Sequence, residues 1–477
     1  MTIAKRAWLI GSCTVLLVGC SLSPTYRRPQ VDIPASFKEE PGWQAAAPAD
    51  AVARGEWWKL FNDPVLNDLQ QQVLVSNQNL AAAKAAYDQS RGLVRELRSS
   101  LLPVVSLSAS GTKVGSFGEG SPAVGSTGTV SSSSTSSGNA RYAVSIGASW
   151  EPDLWGRIGD SVRQAGALAQ ASAADLTNAT LAAQGELALD YVQLRSLEAQ
   201  ERVLSATIDA YQRALSITQN RYDSGVVGRT DVLQAETALR NARADNADLG
   251  RQRAVFEHAI AVLVGVNPST FKLPDAEWVR VIPDVPAVLP ATLLERRPDI
   301  ASAERRVAAA NFSIGIERSA FFPSISLSGD AGYSGRNLGS LFESANSVWS
   351  LGLTGALTLL DFGGRSARVD QARAAYEQTV AQYRQTALLA FQQIEDQLAA
   401  VRVLKFVASE REAAAVAANR AEEISRNQYL AGQIGYSDVI VVQTAALSAR
   451  QAEIQAVVDQ QSAAIGLIQA LGGHWSE

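Results

Sequence analysis

The sequence predicts a mainly α-helical protein built from two copies of one unit, each combining a long helical hairpin with a short β-hairpin. Three observations predict this fold class: repeated motifs, an uneven distribution of proline, and a change of hydrophobic period within each copy. Self-similarity at a fixed offset is the sequence signature of a repeated structural unit. Duplication therefore accounts for a chain of 477 residues better than the roughly three separate domains that its length alone suggests.

Three motifs of the first half return in the second. The pairs are Arg98-Ser-Ser-Leu-Leu-Pro and Arg318-Ser-Ala-Phe-Phe-Pro, Gly156-Arg and Gly364-Arg, and Tyr222-x-x-Gly-x-x-Gly-x-x-Asp and Tyr429-x-x-Gly-x-x-Gly-x-x-Asp. The offset falls from 220 to 208 and 207 residues because the first copy carries an insertion rich in glycine and serine between Gly115 and Asn139. Such a composition predicts a flexible loop.

Two stretches without proline carry the predicted long helices. Proline is absent from residues 153–267 and 324–477, whereas it clusters in residues 24–48 and 268–298, which we interpret as connectors. Within the proline-free stretches, apolar residues recur at the spacing of an amphipathic helix, as at Val369, Ala372, Tyr376, Val380 and Tyr383. An uninterrupted helix over 158–222 would measure about 100 Å, and alanine-rich seams favour coiled-coil packing.

Between the helices the hydrophobic period changes to two, which predicts strands. The alternating residues are Tyr142, Val144, Ile146, Ala148 and Trp150 in the first copy, and Trp349, Leu351, Leu353, Leu357 and Leu359 in the second. Their hairpin partners would begin after Pro103 and Pro323, which gives four strands per chain.

Four strands cannot close a transmembrane barrel, because every strand edge must be paired in lipid and barrels need about eight strands or more. Subunits would therefore share one barrel, and two, three or four chains would supply about eight, twelve or sixteen strands. The alternative is a soluble periplasmic coiled coil that carries small sheets.

The N-terminus predicts a secreted lipoprotein. Lys5 and Arg6 precede an apolar stretch over residues 7–18 that is shorter than the ~20 residues of a membrane-spanning helix, and Gly19-Cys20 follows. Cys20 would become a lipid-modified N-terminus. The alternative is an ordinary secreted protein with a chance cysteine at the cleavage site.

Composition excludes several classes of protein. Cys13 would leave with the signal, so the mature chain has no second cysteine for a disulfide or a multi-cysteine metal site. Loss of the signal changes the formal net charge from −5 to −7, which argues against a nucleic-acid binder. The two histidines, His258 and His474, lie in no cluster with ligand spacing. We therefore expect neither catalysis nor a metal nor any other cofactor.

These signals divide the chain as follows. We expect a signal peptide at residues 1–19, an extended lipidated segment at 20–63 and a proline-rich connector at 268–298. The first repeat would span 64–267, with a β-hairpin at 103–152 and a helical-hairpin turn at 222–231. The second repeat would span 299–477, with a β-hairpin at 323–360 and a turn at 429–438.

The motifs, taken together and in order, resemble the TolC/OprM-type outer-membrane efflux factors, in particular their lipoprotein branch. The resemblance rests on Trp57-Trp-x-x-Phe-x-Asp-Pro-x-Leu, Trp155-Gly-Arg, Leu294-x-Arg-Arg-Pro-Asp-Ile, both Tyr-x-x-Gly turns and Leu471-Gly-Gly. It implies a homotrimer with a shared twelve-stranded transmembrane β-barrel and a periplasmic α-barrel of helical hairpins. It also implies a periplasmic adaptor and an inner-membrane RND-type pump as partners. Ser21, after the cysteine, implies delivery to the outer membrane.

By the same resemblance the chain would be the exit duct of a tripartite efflux system. The single methionine is the initiator, so a methionine-lined path for copper(I) is not supported, and small organic toxicants or antibiotics are the expected cargo. Two alternatives remain open: a duct for type I protein secretion, and a lipoprotein scaffold that does not conduct.

The resemblance places the periplasmic aperture at the helical-hairpin turns. It implies that Asp231 bonds Tyr429 and holds the aperture closed, and that Asp438 lines it. Departures from the family pattern at Ile434 and Val441 imply a weaker acidic ring. An alternative interpretation is that both aspartates are helix N-caps.

Four glycines of the turns, Gly225, Gly228, Gly432 and Gly435, are expected to contact the adaptor. Their alternative role is to permit a left-handed backbone at each turn.

Overall fold

The structure is a computed structural model that describes residues 21–31, 37–39, 56–114, 139–274, 276–283 and 297–473. This part of the chain contains seven α-helices: α1 Pro64–Ser76, α2 Gln78–Ser99, α3 Arg157–Asp223, α4 Arg229–Leu263, α5 Pro298–Ser319, α6 Gly364–Leu430 and α7 Tyr436–Ala470. None of them has the length and apolar character needed to cross a membrane. The signal sequence, Cys20, most of the Gly/Ser insertion and His474 lie outside the described residues.

The helix lengths confirm the predicted duplication. The two copies contain helices of 22 residues (α2 and α5), 67 residues (α3 and α6) and 35 residues (α4 and α7), in the same order. All four long helices end alike. In each case two backbone N–H groups bond to carbonyl groups three and five residues earlier, around a glycine of positive φ. This pair of bonds is the Schellman motif, which ends a helix by satisfying its last carbonyl groups.

The chain divides into two compact units, and each takes residues from both repeats. One comprises the N-terminal residues to Arg28, Gln89–Ala169 and Arg306–Thr379; the other comprises Pro29–Asp88, Gln170–Arg305 and Val380–Glu477. We call them the sheet unit and the hairpin unit. The repeat is therefore a unit of sequence rather than a compact body.

The sheet unit contains the predicted four strands, β1 Val104–Val114, β2 Asn139–Trp150, β3 Ser324–Gly335 and β4 Ser347–Ala356. They form one antiparallel sheet in the order β1-β2-β3-β4, so that strands of the two repeats meet at the β2–β3 pair. Strands β1 and β4 are the edges of this sheet.

The hairpin unit contains a core of aromatic and aliphatic side chains. Trp57, Trp58 and Phe61 pack there against residues of α3, α4 and α7. Tyr191 of α3 donates a 2.7 Å hydrogen bond to Asp63, the residue that also caps the N-terminus of α1. Because this carboxylate is buried, its bonds fix the segment before α1 onto the long helix.

Candidate functional site

The sheet presents two chemically different faces. Across the strands Leu107 lies opposite Ile146, Ile146 opposite Ala331, and Ala331 opposite Trp349, so these side chains of the predicted alternating sets share one face. The prediction is wrong for Leu357 and Leu359, because β4 ends at Ala356. These residues are exposed in the single chain, and Trp349 has 81% of its surface accessible. An apolar face of this extent on a sheet marks a surface that is covered in the functional protein.

The opposite face is lined by small hydroxyl side chains. The register places on it Ser106, Ser108, Ser110, Thr112, Ser145, Ser149, Ser324, Ser326, Ser328, Ser334, Ser350 and Thr354. The described strands contain one carboxylate, Asp330, and it lies on this face opposite Gly147. A β-carbon at Gly147 would stand 2.6 Å from Asp330 Oδ1, so the glycine leaves the space that the carboxylate occupies.

Residues 21–23 contact the helices of the sheet unit. The Ser21 hydroxyl donates to the fully buried Asp160 over 2.9 Å, and Arg318 donates to the Leu22 carbonyl over 3.2 Å. A β-carbon at Gly315 would lie 2.6 Å from Ser23 Cβ, so α5 and this segment are in close contact. The residue after the predicted lipid site thus has a defined position.

Two turns join the long helices of the hairpin unit. We call residues 224–228 the first turn and residues 431–435 the second turn. Gly225 and Gly432 have φ values of +73° and +76°, which confirms for these two the left-handed backbone considered from the sequence. Gly228 and Gly435 instead have extended backbones and are the N-caps of α4 and α7. The predicted contact of the four glycines with an adaptor stays a prediction.

Asp231 and Asp438 occupy the first turns of α4 and α7. The N-cap interpretation is wrong for both, because the cap positions belong to Gly228 and Gly435, and neither helix has a side-chain cap hydrogen bond among the described residues. The carboxylates still lie near the positive end of each helix dipole, where negative charge is favourable. Asp231 is half-buried and Asp438 is exposed.

Tyr429, in the last turn of α6, is only 5% exposed. Its hydroxyl lies 3.1 Å from the Thr218 hydroxyl, and its ring packs 5.4 Å from that of Tyr436. In the described chain no hydrogen bond joins Tyr429 to Asp231, because the tyrosine points into the apolar cluster at the turns and meets Thr218 there. The assignment of Asp231, Tyr429 and Asp438 to an aperture stays a prediction.

Three residues that surround Tyr429 were not predicted from the sequence. Thr218 and Arg221 contact Tyr429 from α3, and Tyr436 begins α7. Burial raises the pKa of the Tyr436 hydroxyl above its usual range. The sequence did contain a signal for Arg221. When the two repeats are aligned, Arg221 corresponds to Gln428, so the two copies differ in charge at this position.

An open groove of about 630 Å³ runs between α4 and α7 beside the turns. Leu233, Thr237 and Asn241 line one side, and Ser437, Val441 and Thr444 line the other. Among the described residues no cluster of three or more His, Cys, Asp or Glu could hold a metal ion. The described hairpin unit therefore offers a mixed polar and apolar surface at its turns.

Comparison with known proteins agrees with this architecture. The chain is 29% identical to the toluene efflux pump outer membrane protein TtgC of Pseudomonas putida. The alignment covers all of this chain and 96% of TtgC. It is 27% identical to the pyoverdine export outer membrane protein OpmQ of Pseudomonas aeruginosa. This alignment covers 99% of this chain and 97% of OpmQ.

Solved structures with the same fold include two outer-membrane channels. The channel OprN aligns with a TM-score of 0.84 at 27% identity, over 96% of this chain and all of that one. The open state of the Neisseria gonorrhoeae MtrE channel aligns with a TM-score of 0.81 at 28% identity, over 95% of this chain and 98% of that one.

The family described as outer membrane efflux protein matches residues 69–266 and again residues 289–473, in two segments that follow the duplication. Sequence, fold and repeat thus agree over almost the whole described chain, and the protein belongs to the outer membrane efflux protein family.

Proposed function

We propose that this chain is one subunit of a trimeric duct through which an efflux pump expels small organic toxicants or antibiotics. The observation that carries the proposal is the two-faced sheet on a chain whose remainder is long helical hairpins. Transmembrane barrels have an apolar outer face and a polar interior. The serine face would line the lumen, and the face of Leu107, Ile146 and Trp349 would meet lipid.

The dimensions of the sheet support a membrane location. Its strands have 11, 12, 12 and 10 residues, and a tilted strand needs about 9 to 11 residues to cross a bilayer. Tyr142 and Trp150 on the apolar face are about 27 Å apart along β2, close to the ~25 Å apolar band between aromatic girdles.

The free edges of the sheet support assembly from several chains. Because β1 and β4 run in opposite directions, β4 of one copy can pair in antiparallel fashion with β1 of the next. Such pairing closes with any number of copies, so it does not by itself choose three. The resemblance to the efflux factors favours the trimer, with twelve strands.

The proposed partners are a periplasmic adaptor and an inner-membrane RND-type pump. The glycine tips of the two turns would contact the adaptor, and Asp231, Tyr429 and Asp438 would line the aperture. The names of the relatives, toluene efflux and pyoverdine export, favour small-molecule cargo over secreted proteins. No catalytic role or cofactor forms part of the proposal.

Lipid on Cys20 would anchor each subunit to the outer membrane. The binding of Ser21 to Asp160 supports this, because it holds the residue next to Cys20 on the sheet unit, which carries the proposed membrane-facing strands. Mass spectrometry of the mature N-terminus tests the anchor. An unmodified or differently cleaved N-terminus would contradict it.

Conductance of the purified protein in a planar bilayer, with its oligomeric mass measured on the same sample, tests the duct. We expect discrete channels from a trimer. A monomer that never conducts would contradict the proposal and favour the scaffold. Export of an unfolded polypeptide rather than of small molecules by the reconstituted system would favour type I secretion.

A further inference from the structure

Arg221, near the end of α3, contacts Tyr429 in the last turn of α6, next to the second turn. Arg221 Nη1 donates a 3.2 Å hydrogen bond to the Tyr429 carbonyl, and its guanidinium lies 4.8 Å from the centre of the Tyr429 ring. Three residues earlier on the same helix, the Thr218 hydroxyl lies 3.1 Å from the hydroxyl of the same tyrosine. One turn of α3 therefore contacts Tyr429 at its backbone carbonyl, its ring and its hydroxyl.

The charge of Arg221 is matched by a helix end rather than by a carboxylate. Within the described residues Arg221 makes no ion pair, and the carbonyl that it contacts also accepts the Gly432 N–H over 3.0 Å. The last carbonyl groups of a helix carry partial negative charge, so a cation is favourable there. The aromatic face adds a cation–π contribution. Arg221 thus stabilises the end of α6 from a different helix.

The repeat shows that this contact is specific to one turn. Tyr222 is the first-copy equivalent of Tyr429, yet it is 39% exposed, and the residue before Tyr429 is Gln428 rather than arginine. Ser425 occupies the place of Thr218, and its buried hydroxyl has no partner in the described chain. The end of α3 therefore holds the end of α6 at Tyr429, and among the described residues the equivalent Ser425 hydroxyl makes no hydrogen bond to Tyr222.

We propose that Arg221 and Thr218 are positioning residues that fasten the C-terminal end of α6 to the C-terminal end of α3, next to the two turns, and so set the resting aperture of the duct. This inference rests on the proposed function. The contacts at Tyr429 join the ends of α3 and α6 directly, so any opening that separates these two helix ends would break them. A hydrogen bond to a charged donor and a cation–π contact are strong enough to hold a resting state and weak enough for a bound partner to break.

The test is the single-channel behaviour of Arg221→Gln, which places the second-copy residue in the first copy. We expect the ratio of open to closed time to rise about tenfold, the effect of losing one charge-assisted hydrogen bond. Arg221→Lys, which keeps a charged donor, should restore part of the closed time. Arg229→Gln is the matched control, because Arg229 is exposed at the start of α4 and makes no hydrogen bond or ion pair within the described residues.

A second measurement reads the contact without conductance. Hydrogen exchange at the Gly432 and Gln433 amides should be about tenfold faster in Arg221→Gln than in Arg229→Gln, because the helix end that they cap is less stable. Thr218→Val tests the hydroxyl contact. The double variant with Tyr429→Phe should exchange at about the same rate as Tyr429→Phe alone, since both substitutions remove the same bond.

The outcomes separate the two proposals. A wild-type trimer that never conducts would contradict the duct itself. A conducting wild type with Arg221→Gln unchanged in gating and in exchange would contradict the role of Arg221 and leave the duct intact. Equal effects of Arg221→Gln and Arg229→Gln would assign the change to net charge at the mouth and also contradict the role.

Discussion

The indole nitrogen of Trp155 donates a 2.7 Å hydrogen bond to the backbone oxygen of Pro323. It thereby joins the end of the first β-hairpin to the start of the second, and Phe322 stacks on the same ring at 4.8 Å. Pro323 belongs to a motif that recurs in the two copies, and Trp155 directly precedes another. The contact joins the two repeats within the sheet unit, in addition to the β2–β3 pairing.

Trp155→Phe keeps an aromatic ring and removes this hydrogen bond. We expect a loss of about 1 kcal/mol in the free energy of unfolding, because a half-buried carbonyl loses its donor. The measurement is the thermal melting of the detergent-solubilised protein. Trp349→Phe is the control, because the Trp349 indole makes no hydrogen bond within the described residues, and it should change the melting temperature less. Equal effects of the two variants would contradict a specific role for the bond.

Local patterns predicted the helices, the four strands and the turns. The period of apolar residues and the absence of proline depend only on neighbours in sequence, so the 67-residue helices and the alternation of the strands could be predicted. The partner of Tyr429 was not, because whether Thr218 or Asp231 meets its hydroxyl depends on how two helices pack. The two compact units could not be predicted from the sequence either, since each contains segments of both repeats.

Gly315→Ala should release the N-terminal segment. The new β-carbon would stand 2.4 Å from Asp160 Oδ2 and 2.7 Å from Ser23 Cα, so either the segment or the helix must shift. We expect trypsin to cut after Arg27 at least several times faster than in wild type, since local displacement exposes backbone to protease. Gly166→Ala is the control, because nothing lies within 4 Å of its new atom. Unchanged cleavage in Gly315→Ala would mean that the segment does not depend on this contact.

Asp330→Asn should reduce the preference of the channel for cations. Three copies of this carboxylate would face the lumen of the proposed trimer, among neutral serine hydroxyls. Rings of carboxylates attract cations and repel anions. The reversal potential in a potassium chloride gradient measures the change, and Arg141→Gln, on the same face, should shift it in the opposite direction. No shift in either variant would place the serine face outside the conducting path.

Asp231→Ala and Tyr429→Phe test the aperture predicted from the resemblance. Both should raise single-channel conductance if an Asp231–Tyr429 bond closes the assembled duct. Because Tyr429 meets Thr218 in the described chain, a change in Tyr429→Phe alone would assign the effect to that contact. Unchanged conductance in Asp231→Ala would therefore reject the latch without rejecting the role of Arg221.

Asp190 of α3 gives the protein a pH dependence that can be measured in solution. Burial, reinforced by the nearby Glu186 carboxylate, raises the pKa of Asp190 from 3.8 to about 6. A carboxyl whose pKa is higher in the folded state binds its proton more tightly there than in the unfolded chain. Its contribution therefore favours folding at low pH and is lost as the pH rises through the interval from about 4 to 6.

Asp190→Asn removes this penalty. We expect the variant to be more stable than wild type at pH 7.5 by about 1 kcal/mol, a figure reduced from the full shift because the side chain is only half-buried. At about pH 4 the difference should disappear, since the aspartate is then protonated in the folded state. Denaturant unfolding at the two pH values measures it, with Asp209→Asn on the exposed side of the same helix as control. A difference that does not change between the two pH values would show that the substitution acts through packing rather than through the charge of Asp190.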